Sequence, residues 1–240
     1  MPNLHPAGSI YHFFRFAIHP FRFLRNSNVL NQSREKNWLG RQAMLASINL
    51  NNEKRMAATR VNPKYKKQWQ KLMFSFFDYL PMKYEASPRE WQVRKLIWDF
   101  KDGKRSLQVA ELVARKIRET FGSMTEKIVF CCIPASSSEK NVKRYKEFSD
   151  EVCRLAGTVN AFDHISVEGE RLAVHEYKGA KSVKGVQVIS FEEAFFKGAQ
   201  VLVFDDVVTR GFSYARFACA LEAFGASVLG GFFLGRTLLK

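Results

Sequence analysis

Two adjacent carboxylates, Asp205 and Asp206, close an apolar run in "VLVFDDVVTRGFS", residues 201–213, and a small polar turn follows at once. The run "AQVLVF" is continuous in the way of a strand buried on both faces, so acids at its end stand at the carboxyl edge of a sheet. That edge is where open α/β sheets bind ligands. Past the acids, Thr209, Arg210, Gly211, Phe212 and Ser213 lead into the helical pattern "SYARFACALEAFGA". Backbone N–H groups of such a turn, together with a helix N-terminus, make an anion site. Thr209 and Ser213 add hydroxyl donors, and Gly211 lets the backbone approach closely. Acids beside a phosphate cradle accept hydrogen bonds from sugar hydroxyls. The plain alternative is a solvated strand end with a surface turn; the chemistry this stretch suits is binding of a sugar phosphate.

The elements that must position these groups follow from periodicity. "YKKQWQKLMFSFFDYLP" sets Trp69, Leu72, Met73, Phe76 and Phe77 at helical spacing and predicts a helix that stops at Pro81. "SPREWQVRKLIWDFKDGKR" opens with Ser87-Pro88 and has Glu90 three residues after the serine, a capping-box pattern. A third helix is expected from Leu107 to Phe121, ending at Gly122. Their aromatic stripes are most simply core-facing. After residue 122 the period changes. "KIVFCCIP" is a buried strand, "ASSSEKNVKRYKEFSDEVCRLAG" a polar loop opening a helix, "QVIS" and "AQVLVFDD" strands, and "SVLGGFFLGRT" a final strand. Strands alternating with helices predict an α/β fold with a largely parallel sheet.

"VLVFDDVVTRGFS" resembles the thirteen-residue motif that binds phosphoribosyl pyrophosphate (PRPP) in type I phosphoribosyltransferases, and every position is compatible with it. Arg210 stands where that motif usually has a second Thr. The resemblance implies a type I phosphoribosyltransferase-like fold, a mostly parallel twisted sheet flanked by helices with a helical region ahead of it. It implies that Asp205 and Asp206 hold the ribose hydroxyls, while Val207, Val208, Thr209, Arg210, Gly211, Phe212 and Ser213 complete the enclosure of ribose and 5-phosphate. The loop "IPASSSEKN", with Ala135, Ser136 and Ser137, would grip pyrophosphate through small residues and an unusual peptide geometry. Lys140, Lys143 and Arg144 follow it, either as phosphate partners or as a solvated helix face; Arg144 is assigned here to pyrophosphate. In "RLAVHEYKGAKSVKG" the family carries a mobile loop, and Lys178, Lys181 and Lys184 would neutralise the departing pyrophosphate, Lys178 and Lys181 being taken as catalytic. His175 beside Glu176 suggests acid–base or metal work only weakly. Mg²⁺ is implied on the pyrophosphate and ribose hydroxyls, with Asp205 and Asp206 near it rather than necessarily bound to it.

The order "KDGK…IPAS…RYKEFSDEVCRLAG…YKGAKSVKG…VFDDVVTRG" most resembles the ComF-like subgroup associated with DNA uptake, from roughly Trp91 to Thr237. The zinc-binding cysteine cluster of that subgroup is absent. Three functions stay open: an active transferase acting on a nitrogen acceptor, a PRPP or nucleotide sensor without catalysis, and an accessory protein that handles nucleic acid.

Composition sets the limits. The 240 residues are 46% hydrophobic and include 22 Phe, enough for a sizeable core. No charge-free apolar run reaches the ~18–20 residues of a membrane-spanning helix. Cys131, Cys132, Cys153 and Cys219 show no CxxC spacing and suit buried free thiols, hence a reducing cytoplasm. A net charge of +15 points to an anionic partner: phosphates, a nucleic acid or an anionic surface. Residues 1–60 hold nine Lys or Arg against two acids, and "IYHFFRFAIHPFRFLRNSN" is Phe- and Arg-rich and broken by Pro20. That texture fits a loose transit peptide or a translation start placed too far upstream. The expected organisation is a basic extension over 1–62, a helical region or hood over 63–122, and the α/β domain over 123–240, with a homodimer as the assembly.

Overall fold

The computed structural model describes residues 61–169 and 188–238. Every described residue lies in one compact unit, Val61–Lys240. Its elements are α1 (Pro63–Trp69), β1 (Leu72–Tyr79), α2 (Pro88–Lys101), α3 (Ser106–Phe121), β2 (Ile128–Cys132), α4 (Ser138–Ala156) and β3 (Val159–Asn160). They continue with β4 (Ile165–Glu168), β5 (Val188–Phe191), α5 (Glu193–Phe196), β6 (Gln200–Val208), α6 (Phe212–Ala223) and β7 (Ser227–Thr237).

Five strands form a parallel sheet in the order β1-β7-β6-β2-β3, and β4 and β5 make a separate antiparallel pair. The predicted α/β class holds. Apolar runs in β2, β6 and β7 are continuous because both faces of the sheet are covered. On one face Phe130 and Phe204 meet Phe100 of α2 and Phe148 of α4, the Phe148 and Phe204 rings lying 4.7 Å apart. On the other, Val129, Cys131, Val201 and Val203 pack with Phe217, Ala218 and Leu221 of α6. This division follows from connectivity. β2–α4–β3 and β6–α6–β7 step across the sheet in opposite directions. Crossovers of one hand must therefore lay α4 and α6 on opposite faces.

One expected helix is a strand. Helix α1 stops at Trp69, and after Gln70 and Lys71 the eight residues of β1 run along β7, from Leu72 opposite Gly230 to Tyr79 opposite Thr237. Phe74 and Phe76 turn to Phe232 on one face, while Met73 joins the core on the other. A strand covered on both faces carries apolar residues at every spacing, including the spacing of a helix. Aromatic content and a free sheet edge decide for the strand. β1, α2 and α3 lie in the same unit as the rest of the sheet.

Other readings agree with the structure. Ser87 caps α2 by accepting from the Glu90 N–H, and Glu90 returns a bond to the Ser87 N–H at 2.7 Å, a complete capping box. Gly157 ends α4 in the left-handed region at φ 73°. All four cysteines are free, with Cys131 and Cys153 buried. Among the described residues no helix is long and apolar enough to cross a membrane. Phe204 is fully buried at the junction of β6, α2 and α4. Phe204→Ala is expected to cost about 3–5 kcal/mol, read as a lower urea midpoint with unchanged slope.

Candidate functional site

Strand β6 outruns its neighbour. Its pairing with β2 ends at Phe204 opposite Cys132, with one further bond from the Ile133 N–H to the Phe204 carbonyl, whereas its pairing with β7 continues to Val208 opposite Arg236. Asp205–Val208 thus have β7 on one flank and the departing β2–α4 loop on the other. Neighbouring connections leave in opposite directions here, which makes this the topological switch point of the sheet. The acids, read from the sequence as the end of the strand "AQVLVFDD", lie within the last four residues of β6, which runs on to Val208.

Asp206 is buried at 7% exposure and engaged. Arg144 of α4 donates from Nη1 to Asp206 Oδ2 at 2.6 Å, and Lys101 Nζ stands 3.6 Å from Oδ1. Arg144 also donates from Nε to the Lys101 carbonyl at 3.1 Å. Helices α2 and α4 are therefore tied to the strand through one carboxylate. Local sequence makes this approach possible. The turn after α2 uses Gly103 at φ +72°, and a Cβ there would run into the Lys143 carbonyl oxygen. Only glycine lets the end of α2 close on the backbone of α4. Arg144, expected at pyrophosphate, is thus bonded to Asp206. Lys101 is a site residue that sequence reasoning quoted in "KDGK" without giving it a role.

Asp205 differs from its neighbour. Its Oδ1 accepts from the Asp206 N–H at 2.8 Å. Burial, and then the adjacent Asp206 charge, push its carboxyl well above the usual carboxylate range, against the pull of Lys101 and Arg144. The buried Tyr145 hydroxyl is also pushed up, by burial first and then by both acids. The Cys132 thiol is raised chiefly by burial. The floor of the crevice is a poorly solvated acidic cluster with one strong cationic contact.

The turn after β6 begins with Thr209 and Arg210, both exposed, and Thr209 shares a hydroxyl–hydroxyl bond of 2.7 Å with Thr237. Gly211 sits in the left-handed region at φ +73° as the residue before α6, which has no side-chain cap. The first amides of α6 have no intrahelical acceptors, and Ser213 is exposed beside them. Phe212 is 38% exposed. Val207 is partly buried, and Val208 is turned into the core, so Val208 can serve a ligand only through its backbone.

Across the opening, the loop after β2 brings Ala135, Ser136 and Ser137 to the same end of the sheet. The Ala135 N–H donates to the buried Asn141 Oδ1 at 3.0 Å, and Ser137 caps α4 by accepting from Lys140 N–H. There is no cis peptide bond among the described residues. Lys140 and Lys143 are exposed on α4. Lys178, Lys181 and Lys184, with His175 and Glu176, lie outside the described residues. Among the described residues no group of three His, Cys, Asp or Glu is placed to hold a metal ion.

No protein-family model matches the chain, and no curated protein matches it. Among solved structures it is similar to a purine phosphoribosyltransferase from Pyrococcus horikoshii Ot3, at 13% identity over 68% of this chain and 87% of that one, with a TM-score of 0.31. Likeness at that level gives no residue-by-residue correspondence, and the ComF-like resemblance gains no support from it.

The two acids lead to opposite expectations. Arg144→Met leaves Asp206 buried with only the partly exposed Lys101, and should cost about 3 kcal/mol of unfolding free energy. Much of this should return in Arg144→Met/Asp206→Leu, measured as a double-mutant cycle in urea. Asp205 keeps its proton to higher pH when folded than when unfolded, where the carboxyl titrates near 3.8. Between those two values the folded state binds more protons, so the contribution of Asp205 to stability falls as pH rises through the interval. Asp205→Asn is therefore expected to stabilise the chain at neutral pH and to flatten that fall; an unchanged pH profile would refute the buried-acid assignment.

Proposed function

We propose that the crevice at the carboxyl ends of β2 and β6 binds PRPP, or a nucleotide carrying ribose 5-phosphate, and transfers the phosphoribosyl group to a nitrogen acceptor with release of pyrophosphate. The observation that carries this reading is the extension of β6 past β2. It sets two adjacent acids in an opening between a small-residue loop and an uncapped helix start. Ribose hydroxyls would donate to Asp205 and Asp206. The 5-phosphate would accept from the backbone of 209–213 and the start of α6. Pyrophosphate would lie toward Ala135, Ser136 and Ser137, within reach of Arg144 and Lys101, with Lys178 and Lys181 assigned to the same leaving group.

In the reaction the bond from ribose C1 to the pyrophosphate oxygen breaks, and its electron pair leaves with pyrophosphate. The lone pair of the acceptor nitrogen then forms the new bond to C1, and the nitrogen gives up its proton. The chain contributes alignment, exclusion of water and charge stabilisation of the leaving group. Arg144 and Lys101 are the cations suited to that stabilisation. To serve it, Arg144 must exchange Asp206 for a phosphate oxygen, which releases Asp206 to the ribose. Mg²⁺ fits as a passenger on the ligand's phosphates, since it prefers a few carboxylates plus substrate oxygens to an all-protein cage. Asp205 and Asp206 are the carboxylates that would meet the hydration shell of such an ion.

A second reading shares the pocket but not the turnover: a PRPP or nucleotide sensor. The pairing of Arg144 with Asp206 is as compatible with this reading as with a catalyst, since an internal carboxylate that must be displaced suits a binding switch too. The net charge of +15 favours a third, accessory role with nucleic acid, which predicts affinity falling steeply with salt.

Calorimetric titration of PRPP with Mg²⁺ tests the pocket. Saturable binding to wild type and its loss in Asp205→Asn/Asp206→Asn is the expected result. Pyrophosphate release over a panel of purine, pyrimidine and amine acceptors then separates transferase from sensor. No binding by folded wild type would remove both.

A further inference from the structure

We infer that Trp69, which lies outside the motif, positions the turn at 209–213 for its anion by fixing the peptide between Gly211 and Phe212. This rests on the phosphate reading of that turn. The indole N–H of Trp69 donates to the Gly211 carbonyl at 3.0 Å. That carbonyl already accepts from the Ala215 N–H at 2.9 Å, the first bond of α6. Two donors from different directions hold one oxygen. Because the peptide unit is planar and trans, fixing the Gly211 carbonyl also fixes the Phe212 N–H, which points the opposite way. The Phe212 N–H is one of the first-turn amides without a partner in the helix. Trp69 thus aims a ligand-facing donor by holding the far side of the same peptide.

Steric evidence agrees. A Cβ at Gly211 would stand 2.6 Å from Trp69 Nε1, so the glycine and the indole fit only as a pair. The Trp69 ring meets Phe212 edge-on, with centroids 5.2 Å apart, and so braces the residue whose amide is aimed. Helix α1 is itself anchored to α6: Gln68 donates to Glu222, and Lys71 is ion-paired with the same carboxylate. Asn62 starts α1 by accepting from the Lys64 N–H. The seven residues ahead of the sheet therefore act as a brace for the turn on its outer side.

The test uses the full chain and two ligands, ribose 5-phosphate and inorganic pyrophosphate, each titrated calorimetrically into wild type and Trp69→Phe. Phe keeps a ring against Phe212 and removes the N–H. Loss of one ordering hydrogen bond should weaken ribose 5-phosphate about five- to tenfold. Pyrophosphate, assigned to the loop at 133–137, should bind as in wild type. Unchanged ribose 5-phosphate affinity would overturn the role of Trp69 and leave the pocket intact. Equal weakening of both ligands would overturn it too, marking Trp69 as merely structural. Absence of ribose 5-phosphate binding in wild type would overturn the phosphate reading and this inference with it. If Trp69→Phe does not fold, Gly211→Ala displaces the indole from the other side. The same selective loss is then expected, and retained affinity refutes the inference.

Discussion

The ion pair between Arg144 and Asp206 closes the gap where β6 leaves β2 behind. A buried carboxylate without a partner would not survive there; its desolvation penalty demands a cation with good geometry. Arg144 meets that demand and, through its Nε, also holds the last carbonyl of α2. Helices α2 and α4 consequently keep a fixed relation to the sheet edge at the one place where backbone pairing cannot provide it. The contribution of Lys101 is smaller, since its side chain is 40% exposed and its charge is screened by solvent.

The same pair separates two acids that are neighbours in sequence. Asp206 has a cation in contact, while burial first and then the charge of its neighbour raise the Asp205 carboxyl, which accepts from the Asp206 N–H. Two adjacent carboxylates in a poorly solvated floor cannot both ionise freely, and their environments divide the roles. One acid is ion-paired within the fold, and the other is raised by burial and by its neighbour. On the proposed reading, a sugar with vicinal hydroxyls would donate to both.

Much of this was legible in the sequence, for identifiable reasons. Acids closing an apolar run, glycine before a helix and a capping box at Ser87 and Glu90 are local patterns, each with a short-range physical cause. The strand at 72–79 was not legible, because coverage on both faces erases the period that distinguishes strand from helix. The pairing of Arg144 with Asp206 spans 62 residues, and the bond from Trp69 to Gly211 spans 142. No local pattern marks either. Arg144 is one of several basic residues on a helix, and Trp69 is one aromatic in a stripe, so their partners emerge only once the sheet order brings β6 beside β2 and α1 against α6.

The two ends of the crevice are built on different principles. At the turn after β6, Gly211 is locked by Trp69 and Ala215, and Thr209 is bonded to Thr237. Donors held in place before a ligand arrives need no reorganisation when it binds, which is how a preorganised site gains affinity. At the opposite end the cations are already occupied by Asp206, so an anion must compete with an internal carboxylate for them. A ligand with phosphate at one end only would gain the rigid turn without opening the ion pair. On the proposed reading, a ligand phosphorylated at both ends would supply the replacement anion and free Asp206 for its own sugar hydroxyls. The Arg144 side chain would thereby couple recognition of the sugar to the presence of the second phosphate group.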